Sequence, residues 1–272
     1  MNERVFQTPK PLTEPEIEEI IEKFGNAALL SKEAGFTGVQ MHAAHGYLIS
    51  QFLSPLFNRR KDSYGGSIQA RSRIIVEIIE RVRYAVGSAF PIGIKINSSD
   101  QLEGGLTQED AFEVIRILDK TSLDLIEISG GSYFPGATPS SDSSSSGPYF
   151  IDFAKKAKRL THIPLVVTGG FKTREQALDI LFSGAVDSVG LGRALILNPN
   201  LPQDWLNEKG IAPDFPTFRA PPFGGVTAWY TMLLTALAND NESDFSLDLL
   251  SAIHSYEKRD KHRIVKWLAK FQ

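Results

Sequence analysis

Cysteine is absent from all 272 residues, which excludes disulfides, thiolate metal sites, iron–sulfur clusters and cysteine nucleophiles. Charge of one sign is also lacking: 29 Lys and Arg stand against 32 Asp and Glu, a net charge of −3. That balance argues against a whole-surface nucleic-acid or anionic-membrane binder and points to a small-molecule partner. No apolar run approaches the ~20 residues needed to span a bilayer. Met1-Asn2-Glu3-Arg4 leads into proline and acidic residues with no apolar h-region, so no signal peptide is read and a cytoplasmic location is expected. The sequons at Asn97 and Asn241 then carry no weight. Apolar residues make up 42% and charged residues 22% of the chain, enough to bury a large core. The length is near the ~250 residues typical of one (β/α)8 barrel.

Thr13 and Glu16 form a capping box that opens a helix to about Lys32, with Gly35 as its stop. A strand over Thr37 to Met41 follows, and residues 43 to 66 then carry no sustained period, the mark of a long functional loop. Ser67 caps a second helix to about Val86, and Ile92 to Ile96 is a buried strand. The unit repeats. Thr107 caps a helix with Phe112, Ile115 and Leu118 inward, and Leu123 to Ser129 is a strand. Residues 132 to 148, with SSDSSSSG, read as a mobile surface loop. A helix near Phe150 to Leu160 leads to the strand Leu165 to Val167. Thr173 caps the helix of Ala177, Leu178 and Leu181, and Val186 to Leu191 is the last strand. From Asn198 onward two helical patterns, about Gly225 to Ala238 and Phe245 to Lys258, precede a basic tail.

Five strands alternating with helices predict an α/β fold with a parallel sheet. An open sheet competes with an incomplete (β/α)8 barrel. Two consecutive strands ending in glycine turns, at Gly169-Gly170 and Gly192, favour the barrel, which builds phosphate sites after its last strands.

The densest group of chemically active residues is His42-Ala43-Ala44-His45-Gly46-Tyr47, at a strand's C-terminal end. In a tight helical turn, residues three apart share a side, so His42 and His45 could both donate to one carbonyl oxygen. Tyr47, a phenol with pKa near ~10, could protonate a developing enolate. Two histidines could instead ligate a metal, with Asp100 or Glu127 completing the set. Gly169, Gly170 and Gly192 let backbone N–H groups approach a phosphate, and Arg193 adds charge. Lys95, inside an apolar strand, needs a partner: an ion pair with Glu127 or a ligand. His162, His254 and His262 read as surface residues, and Arg59-Arg60-Lys61 as a solvated face that could reach a cofactor phosphate.

The run HAAHGYLISQFLSPLFNRRKDSYGGS (42–67) resembles the signature of the old yellow enzyme family of FMN-dependent NAD(P)H oxidoreductases. The resemblance continues through GIKINSSD (93–100), the GG-T-ED pattern (104–110), DLIEISGGSY (124–133), VVTGGFKT (166–173) and DSVGLGRAL (187–195), covering about residues 10 to 206. It implies a TIM-barrel fold with FMN as cofactor and NAD(P)H as reductant. It assigns His42 and His45 to the oxygen of an activated alkene and Tyr47 to proton donation. Gly169, Gly170, Phe171, Gly192 and Arg193 would hold the FMN phosphate. Lys95, where many members have Arg, would face the isoalloxazine. Hydride would pass from NAD(P)H to the flavin and then to the alkene's β-carbon.

Members of the family are longer at the N-terminus, and Ala70 stands where they usually carry Asn. The expectation is therefore a partial FMN-binding barrel over residues 1–206, with strands one to three and a flavin-contacting glutamine absent, and a C-terminal helical extension over 207–272. Exposed strand edges make a homo-oligomer or a complementing chain the expected partner. A remnant unable to hold FMN is the alternative function.

Overall fold

In the computed structural model of the protein, residues 10–132, 147–218 and 221–271 are described. The serine-rich segment expected as a surface loop falls almost wholly outside them. The chain divides into two compact units, Met1–Gly190 and Leu191–Gln272, so the boundary expected after residue 206 lies within the second.

The first unit alternates helices and strands: α1 (Glu14–Glu33), β1 (Val39–Ala43), α2 (Leu48–Leu53), α3 (Ile68–Val86), β2 (Ile92–Asn97), α4 (Gln108–Leu118), β3 (Leu125–Ser129), α5 (Ile151–Ala157), β4 (Leu165–Thr168), α6 (Arg174–Phe182) and β5 (Ser188–Gly190). All strand pairs are parallel, and the sheet order is β1-β2-β3-β4-β5. A doubly wound sheet reverses its strand order at a switch point. Here spatial order equals chain order throughout, which is how a (β/α)8 barrel winds. The fold is α/β of the TIM-barrel type, with five strands among the described residues.

The helices start where the sequence provides caps. Thr13, Ser67, Thr107 and Thr173 each accept the backbone N–H three residues on, and Thr13–Glu16 and Thr173–Gln176 are complete capping boxes. Strand residues alternate between two environments. Met41, Ala43, Ile92, Ile94, Ile96, Ile126, Ile128, Leu165 and Val167 are buried, and Ile74, Ile75, Ile78 and Ile79 of α3 and Val114, Ile115 and Leu118 of α4 supply the helical half of that core. Beneath the strands one device occurs twice. Asp124 accepts the Ile92 N–H and the Arg83 guanidinium, and Asp187 accepts the Leu165 N–H and the Lys158 ammonium. Each carboxylate thereby satisfies the first donor of the preceding strand.

Three local expectations change. The region 43–66 is not wholly a loop, since α2 lies in it with Ile49, Phe52 and Leu53 buried. The first strand sits two residues later than the pattern placed it. Arg60 is not a solvated charge: it donates to the Leu12 carbonyl and pairs with Asp62 over the Phe52 ring.

The second unit holds α7 (Arg193–Leu197), α8 (Leu201–Leu206), α9 (Gly225–Leu237), a 3-10 turn at Glu242–Asp244 and α10 (Leu249–Phe271). Trp229 is its hub, touching Phe218, Tyr230 and Phe245 edge-on while its Nε1 donates to Leu247 O at 2.9 Å. The basic tail is helical, as part of α10.

The core assignment predicts that Ile94→Ala, at a fully buried site, destabilises by about 2–5 kcal/mol. Phe182→Ala, at a position 83% exposed, should change stability by less than about 0.5 kcal/mol. Urea unfolding separates the two, and equal effects contradict the assignment.

Candidate active site

Opposite the apolar core, β1, β2, β3 and β4 carry a row of polar residues, His42, Lys95, Glu127 and Thr168. Register sets His42 beside Lys95 and Lys95 beside Glu127 across β1, β2 and β3. The Lys95 ammonium lies 2.9 Å from Glu127 Oε1, and the Thr168 hydroxyl donates to the same oxygen at 2.6 Å. Burial pushes the Glu127 carboxyl up, but the hydrogen bonds from Thr168 and Lys95 outweigh it and hold the group below its ordinary value. The ion pair open to Lys95 from its sequence is thus present, on a face that also carries Gln40.

Where this row meets the end of β1 the histidines converge. The rings of His42 and His45 are 5.0 Å apart, edge to face, and the Tyr47 ring is 4.9 Å from His42. A helical turn does not produce this. His42 is a strand residue, and His45 and Gly46 follow with φ of 62° and 78°, so a left-handed turn swings the second imidazole back over the first. Tyr47 then caps α2 in extended conformation. Left-handed backbone is uncommon for residues other than glycine, though histidine tolerates it better than most, and two contacts hold it: the His45 N–H donates to Asn97 Oδ1 at 3.1 Å, and His45 Nε2 lies 2.7 Å from Ser129 Oγ.

Asn97 is itself buried, and its amide nitrogen donates to Asp100 Oδ1 and to Gly131 O, both at 3.0 Å. Asp100 in turn accepts the Leu106 N–H. This hub was not expected. In the sequence Asn97 stands out only as part of a sequon and of the GIKINSSD stretch, with no role assigned to it, and its burial rules out glycosylation. Asp100 and Glu127, the candidates for completing a metal site, are occupied by these partners. Among the described residues no three His, Asp or Glu side chains come together as a ligand set.

Both imidazoles are held neutral near pH 7. Burial lowers the His42 pKa first and Lys95 second, against the opposing charge of Glu127. For His45, burial, His42 and Lys95 together bring it down to about 4. Neutral imidazole keeps one N–H donor and one acceptor, so the pair can polarise a carbonyl oxygen. His162, His254 and His262 are exposed.

At the end of β4, Gly169 and Gly170 have φ of 120° and 82°, outside the range favoured by residues with side chains. A Cβ at Gly170 would lie 2.4 Å from Gly147 O. Phe171, next in the chain, is buried. In α6 the Gln176 and Thr173 N–H groups are used by the capping box. In the second unit Gly192 caps α7, and the Arg193 guanidinium lies 5.5 Å from the Tyr230 ring.

A family model described as NADH:flavin oxidoreductase / NADH oxidase matches residues 1–209. The chain belongs to this family. An NADH-dependent flavin oxidoreductase (iliE) of Hypocrea jecorina is 36% identical over 251 residues, covering 88% of this chain and 62% of that protein. An NADPH dehydrogenase of Geobacillus thermodenitrificans is 35% identical over 77% of this chain and 59% of its own. The solved structure of morphinone reductase superposes with a TM-score of 0.64 at 29% identity, over 77% of this chain and 54% of that one. The chain thus spans less than two thirds of these relatives. FMN, with NAD(P)H as reductant, is the cofactor that membership of this oxidoreductase family implies. Among the described residues no helix is long and apolar enough to cross a membrane.

The neutral state of His45 has a testable consequence. An ordinary histidine protonates near 6.5 in the unfolded chain, while His45 does so near 4 in the folded one. Between those values the unfolded state binds more protons, so stability falls as pH drops from 6.5 to 4. His45→Asn keeps a residue tolerant of left-handed backbone and removes the titration. The stability difference between parent and variant should be constant above pH 7 and shift against the parent across that window. A difference that stays constant contradicts a neutral, half-buried His45.

Proposed function

We propose that this chain carries the oxygen-binding and proton-donating side of an FMN-dependent NAD(P)H oxidoreductase site that reduces activated C=C bonds of small enones or enals. The observation that carries the reading is the convergence of His42, His45 and Tyr47 at the C-terminal end of β1, beside the Lys95–Glu127 pair. Barrel enzymes place their chemistry at that end.

The residues present fit FMN. Lys95 supplies a cation on the polar face for a reduced ring system, and the left-handed Gly169-Gly170 turn offers backbone rather than side chains to a phosphate. Phe171 would contribute through its main chain. Bound FMN would supply the redox chemistry, hydride drawn from NAD(P)H for the alkene's β-carbon.

The protein's own part is orientation and proton supply. If Ser129 donates its hydroxyl hydrogen to His45 Nε2, the proton of His45 stays on Nδ1, free for a substrate oxygen. His42 and His45 then donate together to the carbonyl and stabilise the negative charge that grows there. Tyr47 gives its phenolic proton to the α-carbon, so hydride and proton together saturate the double bond. β1 and β5 are the edge strands of the sheet among the described residues.

Tyr47→Phe tests the assignment. Alkene reduction should slow by about 10²-fold or more, while flavin reduction by NAD(P)H changes less than about twofold, because the phenolic proton enters only the second half-reaction. Equal losses in both half-reactions refute the role.

A further inference from the structure

α10 runs for 23 residues against the 13 of α9, and the two pack together over its first half. Ala252 is buried there, and the Arg259 guanidinium donates to Thr235 Oγ1 at 3.1 Å. From Lys261 to Phe271 every residue is exposed. Ile264, Trp267, Leu268 and Phe271 recur at the i, i+3, i+4, i+7 spacing that places them on one helical face. Their exposures are 56, 58, 37 and 62%, and the Trp267 and Phe271 rings lie 5.4 Å apart. Arg259, Arg263, Lys266 and Lys270, at i, i+4, i+7 and i+11, form a second stripe that flanks the apolar one, about a third of the way round the helix. Residues 258–271 hold six Lys or Arg against one acid, Asp260, in a chain whose net charge is −3. The overall balance that argues against a membrane binder therefore hides a strongly cationic segment with an apolar edge.

We propose that residues 261–271 of α10 form a binding surface for anionic phospholipid bilayers. The apolar residues would sit shallowly among the headgroups, with Trp267 and Phe271 at the interface and the Lys stems reaching outward to lipid phosphates and carboxylates. A second copy is a poorer occupant. Two such helices joined through their apolar faces would bring cationic flanks together with no counter-charge between them. An anionic surface supplies that charge across the whole plane of contact.

Cosedimentation of the full chain with vesicles tests this. The unaltered protein should pellet with vesicles of phosphatidylcholine mixed with phosphatidylserine and stay in solution with phosphatidylcholine alone. Lys266→Glu with Lys270→Glu should weaken binding by about tenfold or more, as should high salt. Trp267→Ser with Phe271→Ser should do the same with helix content unchanged by circular dichroism. Tryptophan fluorescence of the unaltered protein should shift to the blue on the mixed vesicles. The milder Trp267→Phe, which retains Trp205 and Trp229, should abolish that shift. Failure to pellet with the mixed vesicles overturns the proposal, as does binding that none of these substitutions weakens. So does a dimer that Trp267→Ser with Phe271→Ser dissolves in a protein indifferent to lipid.

Discussion

The alternation of side chains along five parallel strands is the constraint on which the rest of the first unit depends. A strand buried against helices on one side must place every second residue on the other. In β2 and β3 that sends Ile92, Ile94, Ile96, Ile126 and Ile128 into the apolar core, and Lys95, Asn97, Glu127 and Ser129 to the opposite face. A one-residue slip would turn Lys95 and Asn97, or Glu127 and Ser129, into the apolar core. The sheet register that gives stability therefore also sets the spacing of the polar row, and the site needs no separate scaffold.

On that row Asn97 joins the ends of three strands. Its side chain meets His45 beyond β1, Asp100 beyond β2 and Gly131 beyond β3. Each buried group of this kind left without a partner costs about 1–3 kcal/mol, which explains how His45 is kept in a left-handed turn. That turn brings the two imidazoles together, and partial desolvation with the Lys95 charge nearby lowers the pKa of both. Geometry and protonation state thus have one origin, and a neutral hydrogen-bond donor pair is what polarisation of a carbonyl requires.

Much of this is legible in the sequence because its causes are local. Thr13, Ser67, Thr107 and Thr173 act within four residues, and each marks a helix start correctly. The isoleucine runs and the motif around His42 likewise identify the strands, the fold class and the family. What escaped depends on distant partners or on short spans. α2 is six residues long, too short for a helical period to register among the surrounding glycines, prolines and charges. The end of α10 carries so many cations that its apolar edge is obscured. Asn97 and Ser129 look like ordinary polar residues until the fold brings them to His45, and no sequence pattern marks a histidine with positive φ.

The most direct test of the central claim, that this strand-end cluster belongs to a flavin site, is the visible absorption spectrum of the purified 272-residue protein titrated with FMN. The account predicts saturable, stoichiometric binding with a flavin spectrum shifted from that of free FMN, weakened when Lys95 is replaced by Met. Folded protein that leaves the FMN spectrum unchanged through stoichiometric addition would contradict it and leave the cluster as inherited architecture without its cofactor.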